Sequence, residues 1–374
     1  MKFLFSLRLF SQLANLLLIL SLKDISDSSV GRYALCISIL SFISAVITFE
    51  GTFQVISRNL CIRRFYNNLF LNRIVWIIIL LALYCFTEND FVILVCLVSF
   101  CINIDSEYFV NVFSLKKRIF HNEVYYRRLL RNKIVVTELC LPLLTAASIY
   151  YQFYNILFYI LFCFLILLNA RLISIRKIKL ENIKGTKFLP TLSGTIVCLL
   201  KRYDSQFYRV YTAFFFGESF LGSIYPAFLV GRVGSLFGNI WYTYYFNQKN
   251  IFNNYSKIFK KYISIILILS VTFIILYSYV VDYFFFALFN WDLSKIIYLL
   301  YFIINLQFLQ KTFLRSKSHT YNLLSVYNVF LLLTLIFKSI LFFLAIDYSF
   351  ILAICISVDF SLFLFIHYIL LKRT

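Results

Sequence analysis

Long apolar runs, separated by short polar segments, recur along the whole chain. A hydrocarbon layer of ~30 Å is crossed by about 20 helical residues, and most of these runs approach that length. The first run has a basic start but no small-residue cleavage site, so we interpret it as a transmembrane helix and not as a leader peptide. The pattern predicts an all-α polytopic membrane protein with about 12 transmembrane helices in two six-helix bundles. The predicted spans are Phe3–Leu22, Tyr33–Ile56, Leu71–Phe86, Phe91–Phe113, Ile134–Tyr150, Phe153–Ala170, Leu189–Thr212, Leu221–Tyr245, Tyr262–Val281, Ile296–Leu309, Tyr321–Ile346 and Ser349–Leu371.

Composition excludes several classes of protein. Of the 374 residues, 62% are hydrophobic and 14% are charged. Soluble globular chains have ~45–50% apolar and ~25% charged residues, so a soluble enzyme, a secreted disulfide scaffold and a disordered tail are all excluded. The nine cysteines lie nearly all within apolar runs, without CxxC spacing or a paired histidine. We predict that they pack as small hydrophobes, and that the chain carries no metal or other cofactor.

The charged residues are arranged by topology. The formal net charge is +20, and most of the 36 lysines and arginines fall in every second connecting segment. By the positive-inside rule these segments, and with them both termini, face the cytoplasm. The basic loops are short and distributed, so we expect no nucleic-acid partner. The basic segments are the N-terminus and residues 58–73, 116–133, 171–187, 249–261, 311–317 and 372–373.

The midpoint of the chain lies in the basic segment 171–187, with six predicted spans on either side. This symmetry predicts an N-terminal six-helix bundle with its cytoplasmic linker over residues 1–187 and a C-terminal six-helix bundle over residues 188–374. The sequence comparison of the two halves detects no convincing residue-level repeat.

The seventh span carries the sharpest candidate chemistry. At 100° per residue, its polar residues fall on one arc of about 140°, and its large apolar residues fall on the opposite arc. A helix that lines a water-filled cavity requires such a division. Lys201 lies 11 residues after Pro190, about 16 Å along the helix and near mid-bilayer, and Asp204 lies one turn from it. The polar arc contains Thr191, Gly194, Thr195, Cys198, Lys201, Arg202, Ser205, Gln206 and Arg209.

The eighth span repeats the pattern from the other direction. Arg232 lies 11 residues after Leu221, and a polar stripe continues from it at helical spacing. A face of small residues lies beside that stripe, which predicts that the small face packs against a neighbouring helix while the stripe faces the cavity. The stripe contains Arg232, Ser235, Asn239 and Thr243, and the small face contains Gly231, Gly234 and Gly238.

Cations at mid-bilayer need an explanation, because each costs ~2.5–3.5 kcal/mol on insertion scales. One explanation is an internal salt-bridge set, in which Asp204, Asp359 and either Asp105 or Glu107 neutralise the cations. The other is a cationic pocket for an anionic substrate, and phosphate suits such a pocket because arginine binds its oxygens bidentately. Both explanations stay open from the residues alone.

The remaining charged and aromatic residues in the spans are weaker signals. Four carboxylates lie in the cytoplasmic half of the first six spans, where they either cap basic loops or couple an ion to transport. Lys338 lies nearer the outer face, and we expect its ammonium to snorkel toward the headgroups. Three tyrosines belong either to an interfacial belt or to a surface that stacks on sugar rings. The carboxylates are Glu50, Asp105, Glu107 and Glu138, and the tyrosines are Tyr208, Tyr211 and Tyr225.

Two stretches resemble the Wzx-type O-antigen flippases of the multidrug/oligosaccharidyl-lipid/polysaccharide exporter superfamily. Residues Gly31 to Leu60, GRYALCISILSFISAVITFEGTFQVISRNL, are similar to their second helix. Residues Lys201 to Phe228, KRYDSQFYRVYTAFFFGESFLGSIYPAF, are similar to the start of their second half. There an aspartate precedes a Phe-Gly turn and a Gly-x-Tyr-x-x-Ala element. Here Asp204, Gly217, Gly222 and Ala227 match it, and Tyr225 is displaced by one place. The chain is short for that family and poor in glycine and proline.

The resemblance implies a transporter of the bacterial inner membrane and not an enzyme. Its substrate would be an undecaprenyl-diphosphate-linked oligosaccharide, and its partners would be membrane lipids and a polysaccharide polymerase. Two alternatives remain: a cation antiporter of the same fold, which needs acidic residues at mid-membrane, and an integral-membrane polymerase, which usually carries a large external loop. By the resemblance Lys201, Arg202, Arg209 and Arg232, with Ser205 and Asn239, would bind substrate, and Asp204, Asp359, Glu50, Asp105 and Glu107 would modulate charge or couple an ion.

Overall fold

The structure is a computed structural model, and it describes a set of separate segments of the chain. Every element in these segments is helical, with no strand among the residues described, which confirms the all-α prediction for that part. The twelve-helix prediction includes the third, fourth and sixth spans. These spans lie almost wholly outside the described residues. The segments comprise residues 2–48, 96, 134–151, 192–229, 231, 264, 268, 272, 296–305, 307, 324–344 and 347–373.

Eight α-helices and one π-helix can be assigned bounds in the described segments. The π-helix runs directly into α3, and Pro142 stands in the first turn of α3, where its missing N–H would have no partner in any case. The α-helices are α1 (Lys2–Ile25), α2 (Asp27–Thr48), α3 (Leu141–Tyr150), α4 (Leu192–Phe216), α5 (218–229), α6 (Ile296–Asn305), α7 (Leu324–Phe343) and α8 (Tyr348–Arg373), and the π-helix spans Ile134–Cys140.

Two pairs of consecutive helices are joined by a single residue. Ser26 separates α1 from α2, and its hydroxyl oxygen accepts the Ser29 N–H at 3.1 Å, which caps the first turn of α2. Gly217 separates α4 from α5 with a φ of +87°, a left-handed conformation that glycine adopts without a steric penalty. Both junctions therefore end one helix and start the next without an intervening loop.

The chain divides into two compact units. Unit 1 comprises Met1–Ala213 with Glu218–Gly222, and unit 2 comprises Phe214–Gly217 with Ser223–Thr374. The bundle boundary that the sequence predicts, at residues 187 and 188, lies outside the described residues.

In unit 1, α1 packs against α2, the π-helix and α3. Its buried stripe recurs every three or four residues, which is the period of one helix face. The opposite face of α1 is apolar but exposed, with Phe10 at 57% and Leu13 at 47% exposure. An outward face of this kind suits contact with lipid and not with water. The buried stripe consists of Leu7, Ser11, Ala14, Leu18 and Leu22.

In unit 2, α7 packs against α8, and these are the two helices of the described part that are long and apolar enough to cross a membrane. The apolar windows cover Val326–Phe343 and Tyr348–Ile366. The exposed face of α7 is apolar, with large residues such as Leu333 and Ile336, and its buried face is apolar as well. A helix that is apolar on all sides is typical of a buried or membrane-spanning position.

Hydroxyl groups on these helices are satisfied within the helix that carries them. Ser38 donates to the Ala34 carbonyl at 2.7 Å, Thr145 to Leu141 at 2.8 Å and Ser339 to Leu335 at 2.8 Å. A donor four residues after its acceptor needs no water, so such side chains can lie in an apolar medium.

Asp347 caps the N-terminus of α8. Its Oδ1 accepts the backbone N–H of Ser349 at 2.9 Å and of Phe350 at 3.1 Å, and it also accepts the Ser349 hydroxyl. These donors, with the Ser349 hydroxyl first in weight, hold the pKa of Asp347 below its ordinary value. The connection between α7 and α8 is therefore a capped turn.

Candidate functional site

Helix α4 carries the predicted cationic arc on one continuous element. It extends over 25 residues, from Leu192 to Phe216, which corresponds to about 37 Å. At 100° per residue, Arg202, Ser205 and Arg209 lie within about 60° of one another around this axis. Helix α4 agrees with the seventh predicted span. Because it is a continuous α-helix, the spacing of 100° per residue holds for its predicted site residues, which are Lys201, Arg202, Asp204, Ser205 and Arg209.

Two charged side chains of α4 are withdrawn from solvent. Asp204 is 6% exposed and Arg209 is 8% exposed. A buried ion is costly unless charges or hydrogen bonds compensate it, so this part of α4 is an electrostatically demanding environment. Arg209 lies five residues after Asp204, about 7 Å further along the axis.

Ser205 and Gln206 connect α4 to α2 within unit 1. The Gln206 amide nitrogen donates to the Ser205 hydroxyl at 3.3 Å and to the Ser41 hydroxyl at 3.4 Å. Both residues are half-buried. The polar arc of α4 thus has its first neighbour on the second helix of the chain.

The aromatic residues of α4 form a packed wall on the side opposite the arc. The Tyr203 hydroxyl donates to the Tyr211 hydroxyl at 2.8 Å, and the rings of Phe207 and Tyr211 stack with centroids 4.2 Å apart. Phe42 of α2 meets Tyr203 edge-on at 6.4 Å. This wall anchors α4 against α2 by aromatic packing.

The structure does not favour sugar stacking by the three tyrosines. Tyr208 is 5% exposed and Tyr225 is 2% exposed, so neither ring offers an open face. Tyr211 has one ring face against Phe207 and its hydroxyl against Tyr203. Intrahelical aromatic packing, which hydropathy alone does not reveal, occupies these rings.

A buried ion pair lies between α7 and α8 in unit 2. The Lys338 ammonium is 2.6 Å from Asp359 Oδ1 and donates to Oδ2 at 2.7 Å. The two side chains are 0% and 2% exposed. The expectation that Lys338 snorkels to the outer face is wrong. Its position in phase with buried Leu331 and Leu335 turns the stem inward, and the carboxylate is the partner it meets there.

This pairing also determines the role of Asp359 in the salt-bridge explanation. The sequence analysis assigns Asp359 to the cations of the seventh and eighth spans, whereas the structure gives it the ammonium of Lys338. Near this pair, Gln307 is 6% exposed and its amide nitrogen donates to the Ile356 carbonyl at 2.9 Å. Two buried polar side chains, Lys338 and Gln307, therefore contact one stretch of α8.

Several predicted site residues lie outside the described residues: Glu50, Asp105, Glu107, Arg232 and Asn239. Glu138 lies in the π-helix and is half-buried. Within the described segments, no three His, Cys, Asp or Glu side chains lie close enough together to hold a metal ion. Cys36, Cys96, Cys140 and Cys355 form no disulfide in the described segments.

The chain was compared with protein-family models, curated proteins and solved structures, and none of the three comparisons found a match.

Proposed function

We propose that the chain is a flippase that moves an undecaprenyl-diphosphate-linked oligosaccharide from the cytoplasmic to the outer leaflet of a bacterial inner membrane. The lipid tail stays in the bilayer, while the diphosphate and sugars cross through a cationic cavity that opens alternately to the two sides. Lys201, Arg202 and Arg209 of α4, together with Arg232, bind the diphosphate.

The observation that carries this proposal is the buried Arg209 on a helix long enough to cross the membrane. Arg209 is 8% exposed, and Arg202 and Lys201 precede it on the same helix by about two turns. An anion bound along this face of α4 would meet the guanidinium groups of Arg202 and Arg209. Such charge-assisted hydrogen bonds become stronger as water is excluded. Asp204 lies between them in sequence and lowers the net charge of the empty site.

The spacing of two helix junctions supports two equivalent halves, and the charge pattern supports both termini in the cytoplasm. Helix α2 begins at Asp27 and α5 begins at Glu218, 191 residues later, and each follows a one-residue junction. The helices that precede these junctions, α1 and α4, have 24 and 25 residues. We propose that this repeat extends to two six-helix bundles.

The competing antiporter proposal requires a carboxylate that is free to exchange an ion. The buried carboxylate of Asp359 holds the Lys338 ammonium through both of its oxygens, so a lysine occupies the place of an exchanging cation. Asp359 in this pairing therefore offers no open carboxylate for such exchange.

The test is substrate movement in proteoliposomes. A fluorescent undecaprenyl-diphosphate-linked saccharide is incorporated, and its protection from the membrane-impermeant quencher dithionite reports the flipping rate. A charge-assisted hydrogen bond contributes ~1.5–3 kcal/mol, so Arg209→Ala should slow flipping at least ten-fold. Arg209→Lys, which keeps the charge but loses the planar fork, should fall between Arg209→Ala and the unmodified protein.

Arg373→Ala, at the basic C-terminal end, is the matched control and should flip at the unmodified rate. An unchanged rate in well-folded Arg209→Ala would refute the assignment of this arginine to the substrate site. It would leave the internal salt-bridge explanation for the cations of α4.

A further inference from the structure

Helices α2 and α5 cross at two glycines, and the crossing lies inside unit 1. A Cβ built on Gly31 would overlap the carbonyl oxygen of Glu218 and lie 2.6 Å from its carbonyl carbon. A Cβ on Gly222 would overlap the carbonyl oxygen of Asp27 and lie 2.7 Å from its carbonyl carbon. The two backbones are therefore in direct contact, at a distance that only glycine permits.

The contact is reciprocal. Gly31 faces Glu218, Gly222 faces Asp27, and in each helix the glycine lies four residues after the acid. A contact in which one position meets a second, and the second meets the first, is what a two-fold axis generates. The two segments are thus related by a local two-fold axis.

The sequences at the crossing share this relationship. Residues 27–31 read DSSVG and residues 218–222 read ESFLG, so both have an acid, a serine, a variable residue, an aliphatic residue and a glycine. Both segments begin a helix directly after a one-residue junction. The aliphatic members, Val30 and Leu221, are both 0% exposed. This five-residue repeat is too short to be recognised in the sequence without the contact.

One ion pair strengthens the crossing on one side. The Arg32 Nε lies 3.2 Å from Glu218 Oε2 and donates to it, and the two side chains are 43% and 35% exposed. The residue that follows the glycine is Arg32 in the first segment and Ser223 in the second. The symmetry-related ion pair to Asp27 is therefore not formed by residue 223. An exposed pair of this kind shifts a two-state equilibrium about five-fold at most, which is weak enough to be broken in each transport cycle.

The crossing lies at the end of α4 that the charge pattern assigns to the outer face. Both one-residue junctions, Ser26 and Gly217, fall on that side. Gly217 is eight residues beyond Arg209, about 12 Å along the helix axis. The cationic arc of α4 therefore lies about two turns from the helix end that precedes α5.

We propose that the α2–α5 crossing is the extracytoplasmic gate of the transport cavity, closed in this structure and latched by Arg32 and Glu218. This inference rests on the proposed transport function, but its test does not require that the protein transports substrate. Glycine backbones in contact exclude water without interlocking side chains, so the helices can separate without unpacking a core. Breaking the latch or adding Cβ atoms at the crossing shifts the protein toward the outward-open state.

The test measures access from outside and does not require the lipid substrate. Ser205→Cys places a reporter thiol on the arc of α4, and a membrane-impermeant maleimide is added to right-side-out membrane vesicles. Labelling is taken as the difference from the same protein with Ser205 retained, because native cysteines are present. We expect little labelling with the gate intact, several-fold more with Arg32→Glu, and a return to little labelling when Glu218→Arg is added.

The glycines give a second measurement. Gly31→Ala and Gly222→Ala should each increase labelling by ten-fold or more, because a Cβ must push the backbones apart. Gly217→Asn is the matched control, since a Cβ there meets nothing within 4 Å and asparagine tolerates a positive φ, and it should leave labelling low.

Strong labelling of Ser205→Cys with the crossing intact would overturn the gate, as would unchanged labelling in both the charge reversal and a folded glycine variant. Loss of flipping with normal gating would instead count against the proposed substrate. The two proposals therefore fail in different measurements.

Discussion

The ion pair between Lys338 and Asp359 makes the most quantitative prediction. Lys338→Met removes the ammonium but keeps an unbranched stem of similar length, and Asp359→Leu removes the carboxylate. Both side chains are within 2% of complete burial, so each single substitution leaves one charge without its partner in an apolar interior. A single substitution at a site of this kind destabilises a protein by ~3–5 kcal/mol.

The double variant Lys338→Met with Asp359→Leu is expected to behave differently. Replacing both partners of a buried pair by apolar residues of similar volume is often neutral or stabilising. The coupling free energy between the two positions should therefore be at least ~3 kcal/mol, a factor of more than 100 in the ratio of folded to unfolded protein. An exposed pair would give ~1 kcal/mol or less.

Equilibrium unfolding of the detergent-solubilised protein, followed by circular dichroism during titration with sodium dodecyl sulfate, measures these differences. Ile336→Met, at an outward position of the same helix with 49% exposure, is the control for methionine substitution. A coupling free energy below about 1 kcal/mol would show that the pair is hydrated or not formed, and would refute the reasoning from burial.

Two further predictions concern helix ends. Asp347→Ala should lower the thermal stability of α8 at neutral pH and should speed amide hydrogen exchange at Ser349 and Phe350. Because the folded state holds the pKa of Asp347 below its ordinary value, the stabilisation is complete above the unfolded-state pKa and is lost as the pH falls through the folded-state pKa. The difference in exchange between the variant and the unmodified protein should therefore vanish in acid. A difference that persists unchanged to low pH would contradict the capping role. Gly217→Ala should lower stability by ~1–2 kcal/mol in the same unfolding assay, because alanine is strained at a φ of +87°. Gly217→Asn should be close to neutral, and equal effects of the two substitutions would mean that the left-handed junction is not maintained.

The ion pair between Lys338 and Asp359 explains why the apolar helices α7 and α8 have a defined register. Lys338 on α7 can reach Asp359 on α8 at only one relative position of the two helices. Gln307 donates to the Ile356 carbonyl on the same stretch of α8. Dispersion contacts between leucine and phenylalanine side chains are compatible with several registers, whereas a directional ion pair selects one.

The junction at Ser26 shows what the local sequence could predict about a connection between two helices and what it could not. Lys23 is partly buried beside it, and the desolvation lowers the pKa of Lys23, although Asp27 and Asp24 act in the opposite direction. The predicted spans leave residues 23–32 as a connection, and the charge pattern predicts that it lies on the outer side. Only the three-dimensional positions show that Asp27 begins a helix which contacts Gly222, 195 positions further along the chain.

The sequence by itself determined the helical state of the described segments, the amphipathic division of α4 and the placement of its cations on one arc. These properties depend on the period of apolar and polar residues within a single segment, and the geometry of the α-helix converts that period directly into faces. Tertiary structure alone decided that Asp359 pairs with Lys338, that Phe42 meets Tyr203, and that Gly31 and Gly222 bring two helix starts into contact. Those outcomes depend on the packing register between segments far apart in the chain, and no local period encodes that register.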